Sequence, residues 1–133
     1  MRLNPHGYVS LTSALARRGV IGTKPSGVVE LVTHQGRPGE MNTSLGVIRV
    51  HVHKRALHFG FEQVKGMPLA TPEKGVIDCC YFHLRGVRLP FQFSSDVNWG
   101  LLNRGTIEEM LLPYQNPKFC KFVSNLLEDA YGD

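Results

Sequence analysis

Leu45-Gly46-Val47-Ile48-Arg49-Val50-His51-Val52-His53 alternates aliphatic and polar side chains along its length, and this alternation decides the fold class. Successive residues of a strand project to opposite faces. Ile48, Val50 and Val52 therefore share one face, expected to be buried. Arg49, His51 and His53 share the other, expected to be solvated and weakly basic. Working backwards, Val28-Val29-Glu30-Leu31-Val32-Thr33-His34 is rich in β-branched residues and reads as a second strand. A turn at Lys24-Pro25-Ser26-Gly27 precedes it, and a loop at Gln35-Gly36-Arg37-Pro38-Gly39 follows. Working forwards, His58-Phe59-Gly60-Phe61 reads as a turn or strand end. A short strand is expected over Val64 to Leu69, around Gly66. Leu89-Pro90-Phe91-Gln92-Phe93 reads as an extended edge segment, because proline removes a ladder donor.

Helices flank these strands. Leu11 to Arg18 carries apolar Leu11, Ala14 and Leu15, with Ser10 placed as N-cap and Gly19 as the stop. Thr71-Pro72-Glu73 opens a second helix: threonine caps, proline suits the first turn, and glutamate complements the helix dipole. Its core face is expected to be Ile77, Cys80, Tyr81 and Leu84, with Gly86 ending it. Asp96 is placed to cap a short helix carrying Trp99 and Leu102. Thr106 to Glu109 has capping-box spacing. A last helix begins at Asn116-Pro117 and presents Phe119, Phe122, Val123, Leu126 and Leu127. The expected fold is one α+β domain over residues 1–133: a small mixed sheet of four or five strands, helices packed on it, and a helical C-terminal third.

Composition bounds the function. The 133 residues, 42% hydrophobic and 20% charged, suit one soluble globular domain. No apolar run approaches membrane-spanning length. The first seven residues lack a signal-like apolar segment, so a cytoplasmic location is expected. The formal charge of +4 favours nucleic acid or an acidic partner. The cysteines are Cys79, Cys80 and Cys120, an odd count without zinc-knuckle spacing. A reduced core helix accounts for Cys79-Cys80, and ligation or redox pairing is the competing reading.

The sequence offers little covalent chemistry. His51 and His53, with His34 and His58 in reach, could ligate a metal, yet no carboxylate follows at ligand spacing. No glycine-flanked serine elbow and no phosphate-binding glycine loop is present. A magnesium nuclease would need carboxylates gathered with a strand lysine. Glu30 is followed two residues later by Val32, and Asp78 on its helix reads as solvated. No cofactor and no catalytic residue is expected. The basic residues are more suggestive: Arg37, Arg49, Lys54 and Arg55 cluster around one hairpin or strand pair, with His51 and His53 among them. Arg17, Arg18 and Lys24 lie on the preceding helix and turn. Gathered by the sheet, they would form a phosphate-contacting patch. Scattered solubilising charge is the alternative.

Several segments carry a resemblance. Tyr8-Val9-Ser10-Leu11 with Ser13-Ala14-Leu15 and Gly19 resembles the opening of the C-terminal domain of AbiEi-type antitoxins. Val28 to His34 with Gly36-Arg37, then Gly46 to His53 with Phe59-Gly60-Phe61-Glu62, resemble its next segments. Ala70-Thr71-Pro72-Glu73-Lys74-Gly75-Val76-Ile77-Asp78 is similar to its most distinctive stretch. The similarity covers residues 7 to 85 well and the remainder loosely. It implies an antitoxin of a toxin–antitoxin or abortive-infection (phage-defence) module whose toxin is a nucleotidyltransferase. It also implies a transcriptional-regulator role in which a winged helix binds promoter DNA and this domain assists. Only seven residues precede Tyr8, so the resemblance implies a domain without that winged helix, or one working with a separate winged-helix protein. Two readings stand beside it: a protein-interaction module that binds no DNA, and a metal-dependent nuclease using Glu30.

Overall fold

The computed structural model describes residues 7–22, 27–44 and 46–132. The expected turn residues Lys24, Pro25 and Ser26 lie outside them. In chain order the elements are β1 (Tyr8–Val9), α1 (Leu11–Arg17), β2 (Val28–Thr33), β3 (Gly39–Thr43), β4 (Gly46–Val52), β5 (Phe61–Val64), β6 (Met67–Ala70), α2 (Pro72–His83), α3 (Arg104–Met110) and α4 (Pro117–Tyr131). Two 3-10 turns, Arg55–Leu57 and Trp99–Leu101, lie between them. The fold is α+β, with one mixed six-stranded sheet in the order β3-β4-β2-β1-β6-β5.

The sheet exceeds the expected four or five strands for local reasons. β1 is only two residues long, yet it joins the two halves by pairing antiparallel with β2 and parallel with β6. β3 starts at Gly39, the last residue of the expected loop, and runs on through Thr43, where no element was expected; it pairs antiparallel with β4 and its side chains are mostly exposed. The single strand expected around Gly66 is instead a hairpin, β5 to β6. Lys65 and Gly66 both take positive φ, 51° and 79°, as a two-residue turn matched to strand twist requires. β2 and β4 pair in parallel over six residues, Val28 with Val47 through Thr33 with Val52.

α2 is placed between the sheet and α4. Its Phe82 ring lies 5.0 Å from His51 on β4, and its Tyr81 ring lies 5.7 Å from Phe119 on α4. Burial therefore surrounds the helix, and Lys74 through Cys80 are all buried. The expected core face holds at Ile77 and Cys80, but Leu84 is 39% exposed because it lies past the last turn. At Gly75 the backbone of α2 meets α1 closely: a Cβ there would stand 2.8 Å from the Leu15 side chain. α4 begins where expected, with the Asn116 side chain accepting from the Phe119 N–H, and buries Phe119, Val123 and Leu127.

Three expected boundaries move. Asn103, not Thr106, caps α3, accepting from the Thr106 N–H. Asn98 caps the second 3-10 turn, while Asp96 accepts from the Gln92 N–H. Leu89 to Phe93 forms no strand and runs as an irregular segment beside Phe122 and Leu126 of α4. Among the described residues no helix is long and apolar enough to cross a membrane.

Candidate nucleic-acid interface and a buried polar centre

The sequence places Lys74 and Asp78 four residues apart, on the same side of α2 as Ile77 and Tyr81. That side is core, so both charges are fully buried. Asp78 accepts from the Tyr8 hydroxyl at 2.7 Å and from the Ser10 hydroxyl at 2.6 Å, both through Oδ2. Its Oδ1 lies 3.5 Å from Lys74 Nζ, an ion pair without a hydrogen bond. Lys74 Nζ donates to the Leu57 carbonyl at 2.8 Å and to the Tyr114 hydroxyl at 2.7 Å, and sits 4.0 Å above the Phe59 ring. Gly60 leaves room for the lysine stem, since a Cβ there would stand 2.9 Å from Lys74 Cβ and φ is 80°. One carboxylate and one ammonium thus tie β1, the first 3-10 turn, α2 and the α3–α4 connection together.

Burial pushes Lys74 below its ordinary value, and the Asp78 carboxylate opposes that fall. Burial raises the Tyr8 hydroxyl well above the usual tyrosine range, with Asp78 adding to the rise. Tyr114 moves the same way for the same two reasons. The centre is a buried electrostatic clamp, with Lys74 0% exposed. Ser10 occupies the N-cap position of α1, but its side chain makes no cap hydrogen bond. Its hydroxyl is given to Asp78 instead, which corrects the reading of Ser10 as a cap alone. The next residue, Leu11, is fully buried and held at φ 53°, a left-handed conformation that costs a leucine of order 1 kcal/mol or more. Nor is Asp78 solvated, as its place on a helix had suggested.

The histidine face of β4 is the inward one, contrary to the expected polarity. His51 and His53 are 7% and 5% exposed, while Ile48, Val50 and Val52 are only part-buried. α2 lays Phe82 over both imidazoles. His51 Nε2 is 3.0 Å from Glu30 Oε2, so the strand carboxylate considered for metal chemistry is buried and occupied. His53 Nε2 is 3.1 Å from His58 Nδ1, and the His34 ring meets His58 edge-on at 4.5 Å. His53 is held down at about 3 by burial, by the Lys74 charge, and by His58 and His34. Among the described residues no three His, Cys, Asp or Glu side chains are placed to hold a metal ion. Cys79 and Cys80 are free and fully buried, and burial raises both thiols.

The remaining basic residues divide. Arg18 is turned onto the β5–β6 hairpin, where it pairs with Glu62 at 2.9 Å and donates to the Ala70 carbonyl at 3.0 Å. Arg49 pairs with Glu40 on β3 at 2.7 Å. Arg17 is exposed at the end of α1, and Lys24 lies outside the described residues. Arg37, Lys54 and Arg55 are exposed. Because β2 and β4 run parallel, the segments leaving their carboxyl ends emerge at one end of the sheet. Arg37 lies on one of these segments, Lys54 and Arg55 on the other. The topology therefore places three of the expected nine residues on segments leaving the same end of the sheet, while two imidazoles are buried, two arginines are engaged in ion pairs, and Arg17 lies on a separate element.

Sequence reasoning missed Lys74 and Tyr114. The available signal was an i, i+4 Lys–Asp pair in register with Ile77 and Tyr81, on a helix otherwise read as apolar on that side. Fold and site together define a mixed-sheet α+β domain with a buried ion pair. Comparison with protein-family models, curated proteins and solved structures finds no match to this chain.

Proposed function

We propose that this chain is a non-catalytic recognition domain of an AbiEi-like toxin–antitoxin module, acting in the cytoplasm to restrain a nucleotidyltransferase toxin or to assist promoter binding. The observation that carries the reading is the sheet end where Arg37, Lys54 and Arg55 are exposed. Such cations contact phosphates and position a backbone; they do not by themselves read bases. A second support comes from the segments that resemble the antitoxin family. Tyr8, Ser10, Lys74 and Asp78 belong to those segments and meet in one buried network. In this chain those residues serve the fold, which leaves the surface for recognition.

The test is DNA binding as a function of salt, using the chain with promoter DNA of its own operon. Changing Arg37, Lys54 and Arg55 together to glutamate should weaken binding and flatten the log–log salt slope by about one unit per lost phosphate contact. An unchanged slope removes this surface from the proposal. The protein-interaction reading has its own support in Leu112, 81% exposed, and Leu101, 54% exposed. It is separated by mixing the chain with the co-encoded toxin: a stable complex that survives the triple substitution and is lost with Leu112→Asp favours it.

A further inference from the structure

The irregular segment after α2 lies against α4 and leaves a hollow of about 600 Å³ between them. Its walls are Val87, Leu89, Phe91 and Phe93 from the segment and Leu126 from α4, and Arg88 and His83 are exposed at its rim. No carboxylate lines it. Small-molecule sites of roughly 300–1,000 Å³ share this pattern of apolar walls with a few polar groups.

The hollow is held open by hydrogen bonds that the segment makes in place of a strand. The Val87 N–H donates to the Phe82 carbonyl at 3.0 Å, and the Gln92 N–H to Asp96 at 2.7 Å. The Trp99 indole N–H donates to the Phe93 carbonyl at 2.9 Å. Pro90 has no N–H to offer a strand ladder. Phe93 is further wedged between His83 and Phe122, at ring distances of 5.9 and 6.0 Å. Beyond Phe93 and Leu126 a smaller hollow of about 70 Å³ includes Asp129. Arg88 is thus the arginine in the lining, while the neighbouring carboxylates lie outside it: Asp96 is taken up by the Gln92 N–H, and Asp129 belongs to the smaller hollow.

We propose that this hollow is a binding site for a small apolar or aromatic molecule carrying one anionic group, seated with its hydrocarbon against Phe91, Phe93 and Leu126 and its anion at Arg88. The apolar walls supply most of the binding and Arg88 supplies the preference for a negative head. The site is remote in sequence from Arg37, Lys54 and Arg55, and it does not depend on the antitoxin reading.

The test uses two fluorescent probes of nearly the same shape on the intact chain: 1-anilinonaphthalene-8-sulfonate, which is anionic, and N-phenyl-1-naphthylamine, which is neutral. The site predicts saturable one-to-one binding of both, tighter for the sulfonate, and a change in the emission of Trp99, the single tryptophan. Arg88→Gln should weaken the sulfonate about five-fold, as an exposed ion pair allows, and leave the neutral probe unmoved. Arg88→Lys should restore most of the difference. Ser94→Phe, a lining position on the exposed loop, should weaken both. Equal affinity for the two probes, a sulfonate affinity unmoved by Arg88→Gln, or binding that never saturates would each overturn the proposal.

Discussion

Lowering the pH should destabilise this domain through His53. The imidazole is 5% exposed and its Nδ1 has no hydrogen-bond partner. Burial, Lys74 and two neighbouring histidines hold it at about 3, against an ordinary value of 6.5. The unfolded chain therefore takes up a proton near pH 6.5 that the folded chain refuses. Stability is complete above that value, falls as the pH drops through it, and stops falling near 3. Between pH 7 and pH 5 the loss from this one residue is about 2 kcal/mol, and by pH 4 about 3 kcal/mol. Urea unfolding at these pH values is the assay. With a slope of about 2 kcal/mol/M, the midpoint moves down by about 1 M between pH 7 and pH 5. Other groups titrate as well, so the comparison is with His53→Leu, which is close in volume and carries no proton. The variant loses the contact with His58 and starts about 1 kcal/mol less stable at pH 7. The gap should close at about pH 5.7 and be reversed by about 1 kcal/mol at pH 5. Parallel pH dependences for the two proteins would refute the reasoning, as would an imidazole NMR titration placing His53 near 6.5.

Two further outcomes follow from packing and burial. Gly75→Ala brings a methyl group to 2.8 Å from Leu15 Cδ2. The α1–α2 contact must then open, at a cost of about 1–3 kcal/mol in thermal or urea unfolding despite alanine's better helix propensity; a neutral or stabilising result would show that Leu15 has room to turn. Cys120 is part-exposed, whereas Cys79 and Cys80 are fully buried with raised thiols. Iodoacetamide at neutral pH should alkylate Cys120 first and the vicinal pair only on unfolding, as read by intact mass.

Much of the fold could be read from local pattern. The β-branched run at Val28 to Thr33, the alternation at Gly46 to Val52, and the Thr-Pro and Asn-Pro helix starts each carry their cause within a few residues. What escaped has its cause elsewhere in the chain. The alternation of β4 identifies two faces but does not say which is covered. That choice is made by Phe82, which arrives 31 residues after His51 and lies over the imidazoles. Ser10 satisfies every local rule for a cap, yet Asp78 outbids the helix N-terminus for its hydroxyl because a buried carboxylate needs donors more than an amide needs an acceptor. β1 exists only because β2 and β6 meet on either side of it. For the candidate interface, charge could be counted in the sequence but its disposition could not: Glu40 engages Arg49 from the neighbouring strand, and Glu62 on β5 engages Arg18 at the end of α1.

The account rests on Lys74 and Asp78 as a sealed pair that holds β1 and the helices together. A double-mutant cycle in urea unfolding with Lys74→Met, Asp78→Asn and the combined variant tests it most directly. Each single change strands a buried polar group and should cost about 3 kcal/mol. The double variant should cost at least about 1 kcal/mol less than the two added together. Small, additive losses would contradict the account, because they would mean that water already reaches both charges.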